Sequence, residues 1–255
     1  MTTTTAPTAT VAHLNRADGS ATYSCNGYSV VGGVNGPVEV QRRDELPEEA
    51  AIEIIVRPAI GVGTTRERHL ESILHSTLRH IILVQNHPRT LIQITLQVLS
   101  TPEGDATATK PAQAVSDLPI LPALFQTSIL ALMSAAIPLG KTVTSTLVAV
   151  SSSDEIIDSP SAAQLAEAAS THVLAFSSHG ELLVNESEGS FSIETWERVY
   201  EQAQRLCRGE DKKGAGAMVD GSEMEVDRAD CLEDFVRGVM QEKTVKEQAW
   251  KEGLR

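Results

Sequence analysis

The segment from His87 to Leu99 constrains the fold more than any other. Its even positions Ile92, Ile94, Leu96 and Val98 are apolar, and Gln93, Thr95 and Gln97 alternate between them. A period of two places one face in a core and the other among polar surroundings, which is the pattern of a β-strand. Pro88 has no N–H to donate and stands at the very start, where no ladder bond is lost. Upstream, the spacing predicts a helix over Thr64 to Leu83. Leu70, Ile73, Leu74, Thr77, Leu78 and Ile81 recur on one face, and Thr64-x-x-Glu67 forms a capping box at its head. Ile52 to Val56 predicts a short apolar strand before it. Strand, capped helix, strand is the expected nucleus of the first half.

Other elements arrange themselves around that nucleus. Asn26-Gly27 between Tyr23-Ser24-Cys25 and Tyr28-Ser29-Val30-Val31 predicts a hairpin, since both central residues tolerate positive φ. Gly32-Gly33 and Asn35-Gly36-Pro37 read as further turns. Residues 100–117, rich in Thr, Ala, Pro, Gly and Asp, read as a loop. Leu118 to Ile137 is apolar nearly all round, as a helix buried on most sides must be, and Thr142 to Val150 reads as a buried strand. Ser159-Pro160 resembles an N-cap with proline at the first helical position, for a helix reaching about Ser170. Thr171 to Ser177 and Glu181 to Val184 read as a hairpin. Ser192 caps a helix whose apolar stripe is Ile193, Trp196, Val199, Tyr200, Ala203 and Leu206. The expected organisation is a flexible tail at 1–19, one domain at 20–208, a flexible acidic insert at 209–228 and a C-terminal helix at 229–255.

Composition excludes several classes. A net charge of −13 argues against a surface built throughout for nucleic acid, and 4% aromatic residues against broad base-stacking platforms. Cys25, Cys207 and Cys231 are far apart and odd in number, which fits a reduced setting without a disulfide frame. No window of eighteen apolar residues reads as a membrane span, so no membrane partner is expected. The seven histidines form no i, i+4 pair and no Cys-His cluster at zinc spacing, so neither metal nor cofactor is expected, and scattered surface or half-buried positions are. Ser151-Ser152-Ser153 lacks the Gly-x-Ser-x-Gly context of a hydrolase nucleophile, and no Walker or dinucleotide fingerprint is present. Gly61-Val62-Gly63 ahead of the capped helix is compatible with an anion at a helix N-terminus or with a plain turn.

Glu53-Ile54-Ile55-Val56-Arg57-Pro58, then Thr65-Arg66-Glu67 and the helix, then Pro88 through Leu99, resembles the RNase PH family. Within it, the segment most resembles the ring subunits of the eukaryotic RNA exosome. The resemblance covers about residues 20–207 and implies an α/β fold: an RNase PH-like (ribosomal protein S5 domain 2-like) sandwich of mixed β-sheets with flanking helices. It further implies a hetero-hexameric ring of RNase PH-like subunits, OB-fold and KH cap subunits, single-stranded RNA, and a nuclear, nucleolar and cytoplasmic location. Active members shorten RNA from the 3′ end with phosphate as nucleophile. They use an acidic pair that holds a metal or protonates the leaving group, and a Gly-Gly-Thr-Arg-type loop that grips phosphate.

This chain departs from that pattern. The resemblance places the first acid at Asp158 and the second at Gln164, a neutral side chain and a poor metal ligand. The phosphate loop falls in the region Gly104 to Pro122, which holds Lys110 and no arginine. Asp158 in Asp-Ser-Pro also suits an ordinary turn or cap. Arg42, Arg43, Arg57, Arg66, Arg68, Arg79 and Arg89 are concentrated in a chain of net charge −13. Two roles suit them: contacts to RNA phosphates, best placed at Arg57, Arg66, Arg68 and Arg89, or ion pairs with Asp44, Glu45, Glu48, Glu49, Glu67 and Glu71. The expectation is a non-catalytic exosome ring subunit that scaffolds the ring and helps guide RNA. The alternative is an active phosphorolytic 3′–5′ exoribonuclease.

Overall fold

The computed structural model describes residues 6–43, 45–102, 117–209 and 231–252. Two mixed or antiparallel sheets enclose one helix. The first sheet contains β1 (Thr8–Val11), β2 (Gly19–Cys25), β3 (Tyr28–Glu39), β4 (Ala51–Arg57) and β5 (Thr90–Ser100), in the order β1-β2-β3-β5-β4. The second contains β6 (Val143–Val150), β7 (Ile156–Asp158), β8 (Ser170–Ser177) and β9 (Leu182–Gly189), in the order β7-β6-β8-β9. Helices are α1 (Thr65–Arg79), α2 (Leu121–Ser134), α3 (Ala162–Glu167), α4 (Ile193–Arg208) and α5 (Leu232–Glu252).

The nucleus forms as its periodicity predicts. Ile92, Ile94 and Leu96 on β5 are fully buried, β4 pairs with β5 in parallel from Ala51↔Leu91 to Arg57↔Gln97, and α1 connects them. Thr64 is the N-cap of α1, with both bonds of its capping box formed. The helix ends at Arg79 rather than Leu83, so Ile81 and Ile82 enter the core from the following loop.

Helix α2 lies between the sheets, against β2 and β3 on one side and β6 on the other. Leu121, Leu124, Phe125, Ile129, Leu130 and Leu132 are all fully buried. Both faces of the second sheet are covered, which is why β6 is buried at every position. Val173 and Ala175 join the central core, whereas Leu174 and Phe176 meet Val199, Ala203 and Cys207 of α4. Helix α5 closes one end against α4, β1 and α2.

Four expectations are corrected. The 1–19 tail contains strand β1, which pairs from Thr8↔Ser24 to Val11↔Ala21. Its Thr and Ala residues give no hydrophobic alternation, but an edge strand needs only backbone pairing, and β-branched Thr favours it. Gly32-Gly33 and Asn35-Gly36-Pro37 are not turns. β3 runs straight through the first pair and absorbs the second as an irregularity between Asn35 and Val38. Helix α3 is capped by Ser161, not Ser159-Pro160, and ends at Glu167, because Ser161-x-x-Gln164 makes a complete capping box. Ile193 is 73% exposed and so lies off the packed stripe of α4, which is Thr195, Val199, Ala203 and Cys207. Of the expected loop at 100–117, residues 103–116, Lys110 among them, lie outside the described residues, as do residues 210–228 of the acidic insert expected at 209–228.

Glycine 32 shows why the sheet tolerates no turn there. A Cβ at that position would stand 2.7 Å from Thr127 Cγ2 and 3.1 Å from Leu96 Cδ2, so the absent side chain is what lets α2 approach β3. Gly32→Ala is expected to destabilise the fold by about 1–3 kcal/mol. Thr127→Ser removes the opposing methyl while keeping the hydroxyl that donates to the Ala123 carbonyl at 2.7 Å. Adding it should recover part of the loss in urea unfolding. A double variant no more stable than Gly32→Ala would contradict this packing account.

Candidate functional site

The two positions assigned to the acid pair belong to separate networks. Gln164 is the N3 residue of α3, and its Oε1 accepts the Ser161 N–H and the Ser161 hydroxyl, each at 2.9 Å. Asp158 ends β7, is exposed, and its Oδ2 accepts from Gln202 Nε2 of α4 at 2.7 Å. A divalent ion needs several hard oxygens converging on one point. One exposed carboxylate and an amide oxygen already engaged in a helix cap do not fit that requirement. No group of three or more His, Cys, Asp or Glu is placed to hold a metal among the described residues.

Beside Asp158, between the start of α2 and the start of α5, lies a cavity of about 230 Å³. Tyr23, Cys25, Pro122, Ser159, Cys231 and Phe235 are among its walls, and among the described residues no charged side chain lines it. Its described walls mix apolar side chains with Asn26, Ser145, Thr146 and Ser159 and include no arginine that would fork onto a phosphate. The three cysteines, scattered in sequence, converge here. Cys25 and Cys231 line the cavity, while Cys207 is fully buried on the adjoining turn of α4. All three are free thiols. Burial pushes the Cys207 thiol up to about 12, and it also raises Cys25 and Cys231. Thiols held protonated in this way are poor nucleophiles.

The four arginines separate into two places. Arg57 ends β4, and Arg66 and Arg68 lie in the first turn of α1 just beyond it. Arg89 precedes β5, which runs parallel to β4, so it stands at the opposite end of the sheet, about 26 Å away at roughly 3.3 Å per residue. Arg66 Nε pairs with Asp117 at 2.9 Å, tying α1 to the residue that precedes α2. Burial pushes the Asp117 carboxyl up, outweighing the opposing pull of Arg66. For Glu67, burial likewise raises the carboxyl, but the hydrogen bonds from Thr64 outweigh it and hold it low. Arg89 pairs with Glu45 at 3.3 Å, Arg79 with Glu49 at 2.6 Å, and the largely exposed Arg68 with Glu71 at 3.5 Å. Arg57 is exposed and has no carboxylate partner among the described residues.

One histidine departs from the surface or half-buried placement expected of all seven. His172 is 0% exposed, with Nε2 2.9 Å from Ser170 Oγ and Nδ1 2.8 Å from Ser187 Oγ. Phe191 packs edge-on over its ring at 4.7 Å. Sequence inspection missed it because its strand is buried on both faces, so alternation carries no information about which side chain is covered.

Residues 7–138, which hold the whole strand–helix–strand nucleus and α2, match the model of the 3′ exoribonuclease family, domain 1. The chain belongs to the RNase PH family. Over 203 residues, 76% of this chain and 87% of the relative, it is 36% identical to "Exosome complex component RRP46" of Saccharomyces cerevisiae. The crystal structure of rice (Oryza sativa) Rrp46 superposes with a TM-score of 0.67 at 26% identity, covering 77% of this chain and 86% of that one. An archaeal exosome core subunit shares the fold, with a TM-score of 0.61 at 13% identity over 78% of this chain and 82% of its own. RNase PH-like architecture is thus shown by sequence and structure together. The family match begins at residue 7, in agreement with an ordered β1.

The environment of His172 makes a pH prediction. Burial lowers its pKa, and its hydrogen-bond partners are hydroxyls rather than carboxylates. The unfolded chain therefore takes up this proton first as pH falls, and stability declines from about pH 6.5 downward, by at most about 1.4 kcal/mol per pH unit for one site. Comparing urea unfolding of the wild type and His172→Gln between pH 7 and pH 5 isolates the term. The wild type should lose more stability than the variant across that interval. Parallel slopes would show that His172 titrates as it does in the unfolded chain.

Proposed function

We infer that this chain is a non-catalytic ring subunit of the RNA exosome. It scaffolds the ring beside other RNase PH-like subunits, below cap subunits of the OB-fold and KH types, and supports 3′–5′ RNA processing and degradation. The observation that carries the non-catalytic part is the engagement of Gln164 in the α3 cap, 2.9 Å from both Ser161 donors, where the family's second acid is expected. Two further features support it: Asp158 is held by Gln202, and the neighbouring cavity has no charged side chain in its walls among the described residues. The likeness to the yeast subunit over most of both chains supports the assignment to the exosome. Its place is then that of the complex, in nucleus, nucleolus and cytoplasm.

RNA guidance is assigned to the end of the sheet where Arg57 and Arg68 stand, with Arg66 anchored by Asp117 between them. Contacts of that kind act on phosphates, accept any sequence and weaken with salt. Arg89, at the far end and paired with Glu45, is a structural ion pair.

Two assays test this. The purified chain should not shorten single-stranded RNA in the presence of phosphate. Release of nucleoside diphosphates, lost in Asp158→Ala, would instead establish the phosphorolytic alternative. In the reconstituted ring, Arg57→Glu with Arg68→Glu should modestly reduce RNA protection from added nuclease at low salt, without altering sequence preference. Arg89→Glu should leave it unchanged. Equal effects at the two ends of the sheet would overturn the placement of the RNA path.

A further inference from the structure

The chain has four phenylalanines, two tryptophans and three tyrosines. Phe176, Phe191, Trp196 and Tyr200 stand together where β9 gives way to α4. Phe176 is fully buried and supports Tyr200 edge-on at 5.4 Å, and Trp196 leans on Tyr200 at 5.6 Å. The Trp196 indole N–H points to Asn185 Oδ1 at 3.4 Å. That same oxygen accepts from Ser187 Oγ at 3.2 Å, which leads on to His172 beneath Phe191. The cluster is rigidly supported, yet its outer side is open: Phe191 is 44% and Ile193 73% exposed, and Trp196 and Tyr200 are half-buried.

Helix α4 therefore carries two apolar stripes. Thr195, Val199, Ala203 and Cys207 pack on the second sheet. Ile193, Trp196 and Tyr200, at i, i+3 and i+7, form the other, anchored in the core only at its inner edge, where Tyr200 meets Phe176. The surroundings decide what can cover it. From Glu186 to Glu201 the chain carries Glu186, Glu188, Glu194, Glu197 and Glu201 against the single base Arg198, and Arg205 on the next turn reaches Glu201 at 4.0 Å. Arg198 is held by Asp154 at 2.8 Å. A phosphate backbone would be repelled from this rim, whereas a cationic polypeptide would be drawn to it.

We propose that the Phe191–Ile193–Trp196–Tyr200 patch docks a basic polypeptide segment that presents an aliphatic or aromatic anchor to the stripe. Aromatic surface supplies the contact, and the glutamate rim supplies orientation and a salt-sensitive encounter rate. This surface is separate from the arginine end of the first sheet and does not depend on the assignment made there.

Tryptophan 196 is its own reporter. In a Trp250→Phe background it is the sole tryptophan of the full chain. The probe is a synthetic arginine–leucine peptide, with the glutamate–leucine peptide as control. The arginine peptide should shift Trp196 emission to shorter wavelength, saturably, with affinity that falls as salt is raised. Ile193→Asp, and separately Glu197→Lys with Glu201→Lys, should each weaken binding roughly tenfold or more with melting temperature unchanged. Ile193→Ser is the second variant should the aspartate perturb the helix. The proposal fails if the arginine peptide gives no saturable shift, if the glutamate peptide binds as well, or if the variants leave affinity unchanged. It fails equally if single-stranded RNA produces the shift, or if the chain buries Trp196 by self-association without peptide.

Discussion

Burial of α2 between two sheets is the constraint on which the molecule depends. A helix with Leu121, Leu124, Phe125, Ile129, Leu130 and Leu132 all fully buried has no polar face to give to water. Both sheets must close on it, and closeness is set by glycine. A Cβ at Gly32 would strike Thr127, and one at Gly19 would stand 2.4 Å from the Ala131 carbonyl oxygen. The two contacts differ in kind. A methyl on a side chain can be removed by a second substitution, but a backbone carbonyl cannot. Packing this tight transmits position as well as stability. Arg66 and Asp117 link the start of α1 to the approach to α2, so the arginine end of the first sheet is held in register with the central helix.

Much of this was legible in the sequence, where the signal was local and periodic. The β5 alternation, the Thr64-x-x-Glu67 cap and the Asn26-Gly27 hairpin each state their own geometry, and each forms as expected. What escaped reading depended on partners distant in the chain. β1 is an edge strand of Thr and Ala that exists because β2 offers it a ladder. Gly32 resembles a turn until Thr127 is placed against it. At α3, Ser159-Pro160 and Ser161-x-x-Gln164 are competing start signals two residues apart, and the one that completes a reciprocal hydrogen-bond pair prevails. The same pair engages the Gln164 side-chain oxygen in the helix cap.

Site residues were legible only as types. Nothing in the spacing of Arg57, Arg66, Arg68 and Arg89 reveals that a parallel strand of known length puts the last of them at the other end of the sheet. Likewise, Cys25, Cys207 and Cys231 meet only because β2, α4 and α5 converge on one cavity. That cavity's described walls are uncharged and join β2 to the starts of α2 and α5. On this account the chain's contribution lies in its surfaces: an arginine-bearing sheet end, edge strands able to pair with neighbours, and an aromatic patch rimmed by glutamates.

Ring membership is the central claim, and native mass spectrometry of the affinity-tagged full chain purified from its own cells tests it most directly. The account predicts a single copy of this chain in a stoichiometric assembly with several different RNase PH-like subunits, stable without added RNA. Recovery of the chain only as a monomer, or only as a homo-oligomer, would contradict it.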